Sequence, residues 1–139
     1  MHARLVRFFP DLVAELGGDA GALLAATGIP AVTLSRQAHG LTYRQTIALL
    51  EAAAAALGCP DFGLRLAARQ SGGGVFGPLG LAMRNCAQFG EALEYVGAHS
   101  HAHSPAARVW LEPAEAGGLV FCGHDILLPT PTGRTQAME

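Results

Sequence analysis

Apolar residues recur every three or four positions through most of the chain, and this spacing predicts a largely helical protein. The first such run covers residues 3–16, where Pro10 either splits the run or lies in the first turn of its second piece. A pair of glycines ends the run. Asp19 then precedes a short apolar segment that stops at Gly28, so we expect this aspartate to cap a second helix.

The clearest helix signal follows a predicted loop at residues 29–41. Thr42 and Gln45 have the spacing of a capping box, in which the threonine oxygen accepts a hydrogen bond from the amide three residues on and the glutamine side chain reaches back. The predicted helix runs to Leu57 and ends at Gly58. Its many alanines allow close packing against neighbouring elements.

Three further helices are predicted in the middle of the chain. One begins at residues 60–62 and is broken by the glycines at 72–74. A short helix follows Pro78 and ends near Asn85, and a longer one covers residues 88–102. The longer helix is expected to place four apolar side chains on one face, namely Phe89, Ala92, Leu93 and Val96.

The pattern changes to strict alternation after Pro105. Residues 108–112 and 119–125 read as two extended runs, and the turn residues between them predict a β-hairpin with Trp110 on one face. Residues 134–139 have the composition to begin a helix after a linker-like stretch. We therefore predict an α+β fold, in which a helical layer of about five to six helices is followed by an antiparallel β-hairpin or small sheet.

Composition narrows the class of protein. The chain has 139 residues, which fits one domain with a hydrophobic core, and half of its residues are apolar while 14% are charged. The net charge of −2 argues against a nucleic-acid clamp, which concentrates cationic side chains against phosphates. Neither a membrane-spanning run nor a signal peptide is recognisable, so we expect a soluble, cytoplasmic protein.

The three cysteines predict reduced thiols. Cys59, Cys86 and Cys122 are odd in number, widely spaced and without C-x-x-C spacing, so neither a disulfide framework nor a metal motif is indicated. At least two of them are expected to be buried as small hydrophobic residues.

A run of histidines raises the question of metal binding. His99 and His103 are four residues apart, a spacing at which two imidazoles on one helix face can share a metal ion. A zinc site needs three or four ligands, however, and a solvated helix end accounts for the same residues. We therefore predict no metal site and no other cofactor, with His99 and His103 as the only candidates.

Motifs for catalysis are missing from the sequence. Ser100 and Ser104 lie beside histidines, but no nucleophile elbow is present, and the glycines at 72–74 lack the Lys-Ser/Thr of a phosphate loop. We do not expect an enzyme. A direct DNA binder is a rival interpretation, because residues 43–70 imitate a helix-turn-helix with Arg65, Arg69 and Gln70 on the second helix. The apolar residues of that helix favour packing over groove reading.

Four ordered segments resemble the arabinose-binding-domain-like sensor region of AraC-type bacterial transcriptional regulators. The most specific is Cys59–Ala67, C-P-D-F-G-L-R-L-A, which is similar to a D-P-D-F-G-L-R-L-A run of the family. It is followed in the family's order by Phe76–Leu81 (F-G-P-L-G-L), Phe89–Leu93 (F-G-E-A-L) and His103-Ser104-Pro105. The similarity is loose over nearly the whole chain. The triple glycine and the extra histidines depart from the family pattern.

The resemblance implies an effector-sensing and dimerisation domain spanning residues 1–139, with the family domain and its helix-turn-helix DNA-binding domain continuing beyond this chain. DNA would then be contacted only through that further domain. The alternative within the family is a pure dimerisation module without an effector. We expect a homodimer, because apolar surface meant for the remainder of the protein would otherwise be exposed.

A small-molecule effector would occupy a largely apolar cavity with a few polar anchors. The apolar balance of the chain indicates an apolar or weakly polar ligand. The candidate lining residues are the aromatic and polar groups around the Gly-Pro segment and the hairpin: Phe76, Met83, Tyr95, His103, Trp110 and Phe121. Each of them can equally be an ordinary core residue.

Overall fold

A computed structural model describes residues 7–34, 41–70, 77–113, 120–129, 133 and 135–138. These residues fall into two compact units. The first unit is drawn from residues 1–71 and 131–139, and the second from residues 72–130.

The described residues form seven α-helices, one 3₁₀ helix and a two-stranded sheet, in agreement with the predicted α+β class. The 3₁₀ helix covers Ala31–Leu34, inside the predicted loop. In chain order the other elements are α1 (Phe9–Glu15), α2 (Ala20–Ala26), α3 (Tyr43–Ala56), α4 (Phe62–Ala68), α5 (Pro78–Arg84), α6 (Phe89–His103), β1 (Ala107–Pro113), β2 (Val120–Ile126) and α7 (Thr135–Met138).

Local sequence chemistry sets the starts of α1, α2 and α3, as the sequence predicts. Pro10 lies in the first turn of α1. The Asp19 carboxylate accepts hydrogen bonds from the amides of Gly21 and Ala22 at the start of α2. The capping box of α3 is confirmed, because the Gln45 amide donates to Thr42 Oγ1 at 3.2 Å and the Thr42 amide donates to Gln45 Oε1 at 3.0 Å.

The first unit is organised around one apolar cluster. Phe9 and Phe62 are fully buried and meet edge to face, with ring centroids 5.7 Å apart. Such a pair adds about 0.5–1.5 kcal/mol beyond the area that it buries. Side chains from α1, α2, α3 and α4 complete the cluster, among them Leu12, Val13, Leu24, Leu49, Leu50 and Leu66.

The second unit contains α5, α6 and the hairpin. Strands β1 and β2 pair antiparallel, with Ala107 opposite Ile126 and Pro113 opposite Val120. The predicted hairpin is therefore confirmed, while its turn lies outside the described residues. In α6, Ala92 and Val96 are buried as expected.

Phe89, which the sequence places on the same apolar face of α6, is 77% exposed. It is the first residue of α6, directly after the capping residue Gln88. Side chains of a helix lean toward its N-terminus, so the Phe89 ring projects past the start of the helix instead of lying over the buried turns that follow.

Candidate functional site

A groove of about 310 Å³ lies between helix α6 and strand β1, and we call it the α6–β1 groove. This volume is near the lower end of the range of about 300–1,000 Å³ that is usual for small-molecule sites. The groove is lined by Glu94, Gly97, Ala98, Arg108, Val109, Trp110 and Leu111.

Small residues on α6 form the helical wall of the groove. A Cβ atom at Gly97 would lie 3.4 Å from the Val109 carbonyl oxygen, so α6 runs close beside the β1 backbone at this point. The helix then ends at Ser104, which is 3% exposed and whose Oγ accepts a hydrogen bond from the Ala106 amide at 3.3 Å. This tight exit leads the chain directly into β1.

Three side chains of β1 form a continuous strip on one face of the hairpin, because alternate residues of a strand point the same way. The Arg108 guanidinium lies 5.4 Å from the centroid of the Trp110 ring, within the range of a cation–π contact. On its other side, the Trp110 indole N–H donates to Glu112 Oε1 at 2.7 Å. We call Arg108, Trp110 and Glu112 the hairpin strip.

The opposite strand makes room for the indole. Gly123 pairs directly with Trp110 across the sheet. A Cβ atom at Gly123 would overlap the Trp110 ring, since the ring lies flat against the glycine. Gly123 contacts one face of the indole, and Glu112 accepts a hydrogen bond from its N–H. These two contacts fix the orientation of Trp110, so that it gives the groove a rigid aromatic wall.

The groove carries one acidic and one basic side chain, both exposed. Within the described part of the chain, neither Glu94 nor Arg108 has an ion-pair partner within 4.0 Å. The two charges are therefore available to polar groups of a ligand, while Val109 and Leu111 offer apolar contact. The groove can hold a small molecule that has an apolar body and polar ends.

The predicted ligand residues are spread over the second unit. Trp110 lines the groove. Phe121 is opposite Glu112 and so on the same hairpin face, but it is 68% exposed. Met83 is half-buried on α5, and the Tyr95 ring on α6 stacks on His99 with centroids 4.2 Å apart. Two candidates remain: Phe76 lies outside the described residues, as does the side chain of His103.

His99 has a defined role within its helix. Its Nδ1–H donates to the Tyr95 carbonyl oxygen at 2.9 Å, and its ring stacks on the Tyr95 ring. Among the described residues, no three His, Cys, Asp or Glu side chains come together in a way that could hold a metal ion.

The helix pair considered as a DNA-binding motif is present as α3 and α4, but Arg65 and Arg69, the arginines expected on its second helix, are engaged in ion pairs. Arg65 Nε donates to Asp61 at 2.9 Å, and Arg69 makes a two-pronged ion pair with Glu15 of α1. These guanidinium groups hold the pKa values of Asp61 and Glu15 below their ordinary range. Phe62, Gly63 and Leu66 of α4 are buried, so much of the helix surface faces the core.

Several residues of the site carry little or no signal in the sequence. Gly97 and Gly123 are ordinary glycines in the sequence, and only their contacts show that they admit β1 and Trp110. Arg108 and Glu112 could have been found from the alternation around Trp110, which places all three on one face. Glu94 has no such signal, because it joins the site only through the fold.

No helix in the described ranges is both long and apolar enough to cross a membrane.

Comparison with known proteins adds the family. Residues 17–138 match the family described as the arabinose-binding domain of AraC transcription regulators, N-terminal. The chain is also 36% identical over 121 residues to the HTH-type transcriptional regulator VirS of Mycobacterium tuberculosis, in each of two strains. That match covers 87% of this chain and 35% of the relative, so the chain spans about a third of the length of the curated relatives it matches. Together with the α+β fold, these matches show that the chain belongs to the family of N-terminal arabinose-binding domains of AraC transcription regulators.

Proposed function

We propose that this domain senses a small-molecule effector in the α6–β1 groove and thereby controls DNA binding by the helix-turn-helix part of an AraC-type regulator. The observation that carries the proposal is the hairpin strip, in which Trp110 is held between Arg108 and Glu112 on the wall of the groove. Ligand sites typically combine such a rigid apolar surface with a few placed polar groups. The setting is the cytoplasm, where a DNA-binding regulator acts.

The lining favours a small, weakly polar effector. A groove of about 310 Å³ suits a small metabolite better than a polymer. Val109, Leu111 and the indole provide apolar contact, Arg108 can bind an acidic group and Glu94 can accept a hydrogen bond from a donor group. The family description does not determine the effector of this chain, so a sugar has no priority in the search.

Control of transcription requires the effector to bind two states of the domain with different affinity. The groove is suited to this because its two walls belong to different elements, α6 and β1. A ligand that contacts both walls favours the conformations in which helix and hairpin are held at this separation. An effector that binds both states with equal affinity would leave the equilibrium unchanged.

Intrinsic fluorescence tests the proposal directly, because Trp110 is the only tryptophan of the chain. A metabolite panel is screened for compounds that change Trp110 emission and raise the unfolding temperature. Arg108→Ala is then expected to weaken binding of an acidic hit at least tenfold, the equivalent of about 1.4 kcal/mol.

Arg84→Ala is the matched control, because Arg84 is an exposed arginine on α5 that does not line the groove. It should leave the affinity unchanged. Equal losses in both variants would place the ligand elsewhere, and silence across a broad panel would contradict effector sensing.

Dimerisation is a second candidate function, supported by β2. Val120 and Phe121 are 57% and 68% exposed on a strand of a two-stranded sheet, and such strands present unpaired backbone groups to another chain. We propose that the domain pairs with a second copy through β2, alongside effector binding.

A further inference from the structure

Helix α7 packs against α3 and α4 within the first unit, where Gln136 is buried and Ala137 lies against the apolar cluster. Gln136 is 6% exposed and lies 85 residues beyond Glu51 of α3 and 73 beyond Gly63 of α4, both of which it contacts. A buried amide side chain is stable only when its polar atoms find partners.

Gln136 makes three hydrogen bonds to α3 and to the chain around the start of α4. Its backbone N–H donates to Glu51 Oε1 at 2.8 Å. Its side-chain Oε1 accepts from the Gly63 amide at 2.8 Å, and its Nε2 donates to the Pro60 carbonyl oxygen at 2.7 Å. The three hydrogen bonds thus connect Gln136 to Glu51, Pro60 and Gly63, which lie at separate positions in the sequence.

The same glutamine completes the start of α4. The first amides of a helix have no partner within the helix, and the residue before it usually supplies a side-chain oxygen. That residue is Asp61, whose carboxylate instead accepts from Arg65 and from the Cys59 thiol, and it makes no capping bond. The Gly63 amide donates to Gln136 Oε1 instead, so a residue from a distant part of the chain caps the start of α4.

The missing side chain of Gly63 leaves the space that the backbone of α7 occupies. A Cβ atom there would collide with the Gln136 carbonyl group. This collision would involve backbone and not a flexible side-chain end, so any larger residue would have to push α7 away.

We propose that the surface formed by Glu51, the Pro60 carbonyl and the Gly63 amide is a docking site for α7, and that α7 is a releasable latch on it. The attachment of α7 consists of three hydrogen bonds of Gln136 and the packing of partly buried Ala137, whereas the first unit is held by the much larger apolar cluster around Phe9 and Phe62. The latch therefore opens without unfolding that cluster.

The latch lies where the chain returns from the second unit to the first. Its use in passing an effector signal onward rests on the proposed function, but its existence does not. Hydrogen exchange can detect the latch without an effector, so failure of the latch and failure of effector sensing are separate results.

Amide hydrogen exchange of the whole chain tests the latch. In the unaltered protein the amides of Gln136 and Gly63 should exchange through one common opening, at least tenfold faster than the amide of Ala53, which is fully buried in α3. Glu51→Ala removes only the partner of the Gln136 amide, yet it should accelerate exchange at Gly63 as well. Glu51→Gln keeps an acceptor oxygen and should preserve most of the protection.

Gly63→Ala should release α7 by collision, whereas Gly90→Ala, at a helical glycine with nothing within 4 Å of a Cβ atom, should not change exchange at Gln136. Two results would overturn the proposal. One is exchange at Gln136 as slow as at Ala53, which would make α7 part of the core. The other is a Glu51→Ala variant that accelerates Gln136 alone, which would show separate contacts and no latch.

Discussion

At the residue scale, the decisive positions are those where one backbone comes close to a neighbouring element. Gly63 lies against the backbone of Gln136, and Gly123 lies under the Trp110 ring. Neither glycine is needed for an unusual backbone angle, because both have ordinary φ values. Their role is the space that a missing Cβ leaves, and each can be tested by adding one methyl group.

Gly123→Ala is expected to displace the Trp110 ring and to break its hydrogen bond to Glu112. Overpacking of this kind costs about 1–3 kcal/mol. Thermal unfolding should show the loss of stability, and Trp110 emission should shift because the indole becomes more exposed. Gly90→Ala has open space and should be neutral or stabilise its helix by up to about 1 kcal/mol. Unchanged Trp110 emission in Gly123→Ala would contradict the packing described here.

Of the three cysteines only Cys59 is buried, so the expectation of at least two buried thiols is wrong. The thiols should therefore differ in reactivity. Cys59 is 4% exposed and its Sγ–H donates to Asp61, and burial raises the pKa of this thiol. Since the thiolate is the reactive form, Cys59 should resist alkylation at neutral pH until the protein unfolds, while exposed Cys122 should react at once. Counting labelled thiols by mass spectrometry in Cys122→Ser checks this, and rapid labelling of Cys59 in the folded variant would contradict it.

At the element scale, the sequence predicted the helices and strands well because their signals are local. The Thr42–Gln45 capping box, the Asp19 cap and the alternation around Trp110 each act within a few residues. Burial on α6 was less predictable, as exposed Phe89 shows, because the periodicity of a helix does not tell where the neighbouring element begins. The site was only partly predictable, since Glu94 and Arg108 line the same groove only because α6 packs beside β1.

The ion pair between Glu15 of α1 and Arg69, directly after α4, predicts a pH dependence of stability. The Arg69 guanidinium lowers the pKa of Glu15 from its ordinary value of 4.5. A lowered pKa in the folded state means that the stabilisation is fully present above that ordinary value and is lost as the pH falls through the lower one. Glu15→Gln should therefore reduce the urea midpoint at pH 7 but much less at pH 3.

Glu94→Gln serves as the control for this comparison, because Glu94 forms no ion pair with the residues that the structure describes. It should have little effect at either pH. A Glu15→Gln deficit of the same size at pH 7 and pH 3 would mean that packing, and not charge, connects α1 to the end of α4.

At the scale of the whole molecule, the matched family region extends across both units, from residue 17 to residue 138. The relatives are about three times as long as the part that matches, and so the regulatory consequences proposed here belong to longer proteins. The sequence could indicate the family through four ordered segments, but no sequence signal connected Gln136 with Gly63, because their contact spans 73 residues.

Dimerisation through β2 makes a prediction for the isolated chain. Phe121→Asp should convert the dimer to a monomer in sedimentation experiments, because it places a charge on the exposed apolar part of the strand. Phe89→Asp changes another exposed phenylalanine, 77% accessible on α6, and should leave the dimer intact. A monomer at high concentration before any substitution would count against pairing, and loss of the dimer in both variants would place the interface elsewhere.

The position of Gln136 has a consequence for how the protein is made. The first unit contains segments from both ends of the chain, and the start of α4 lacks its cap until residue 136 has left the ribosome. Domains commonly fold as units during synthesis, from the N-terminus onward. Here the helical core can collapse early, but α4 completes its N-terminus only after the whole hairpin has been translated. A nascent chain arrested before residue 136 should therefore be cleaved by proteases or bound by chaperones near α4 more readily than a chain that includes Gln136.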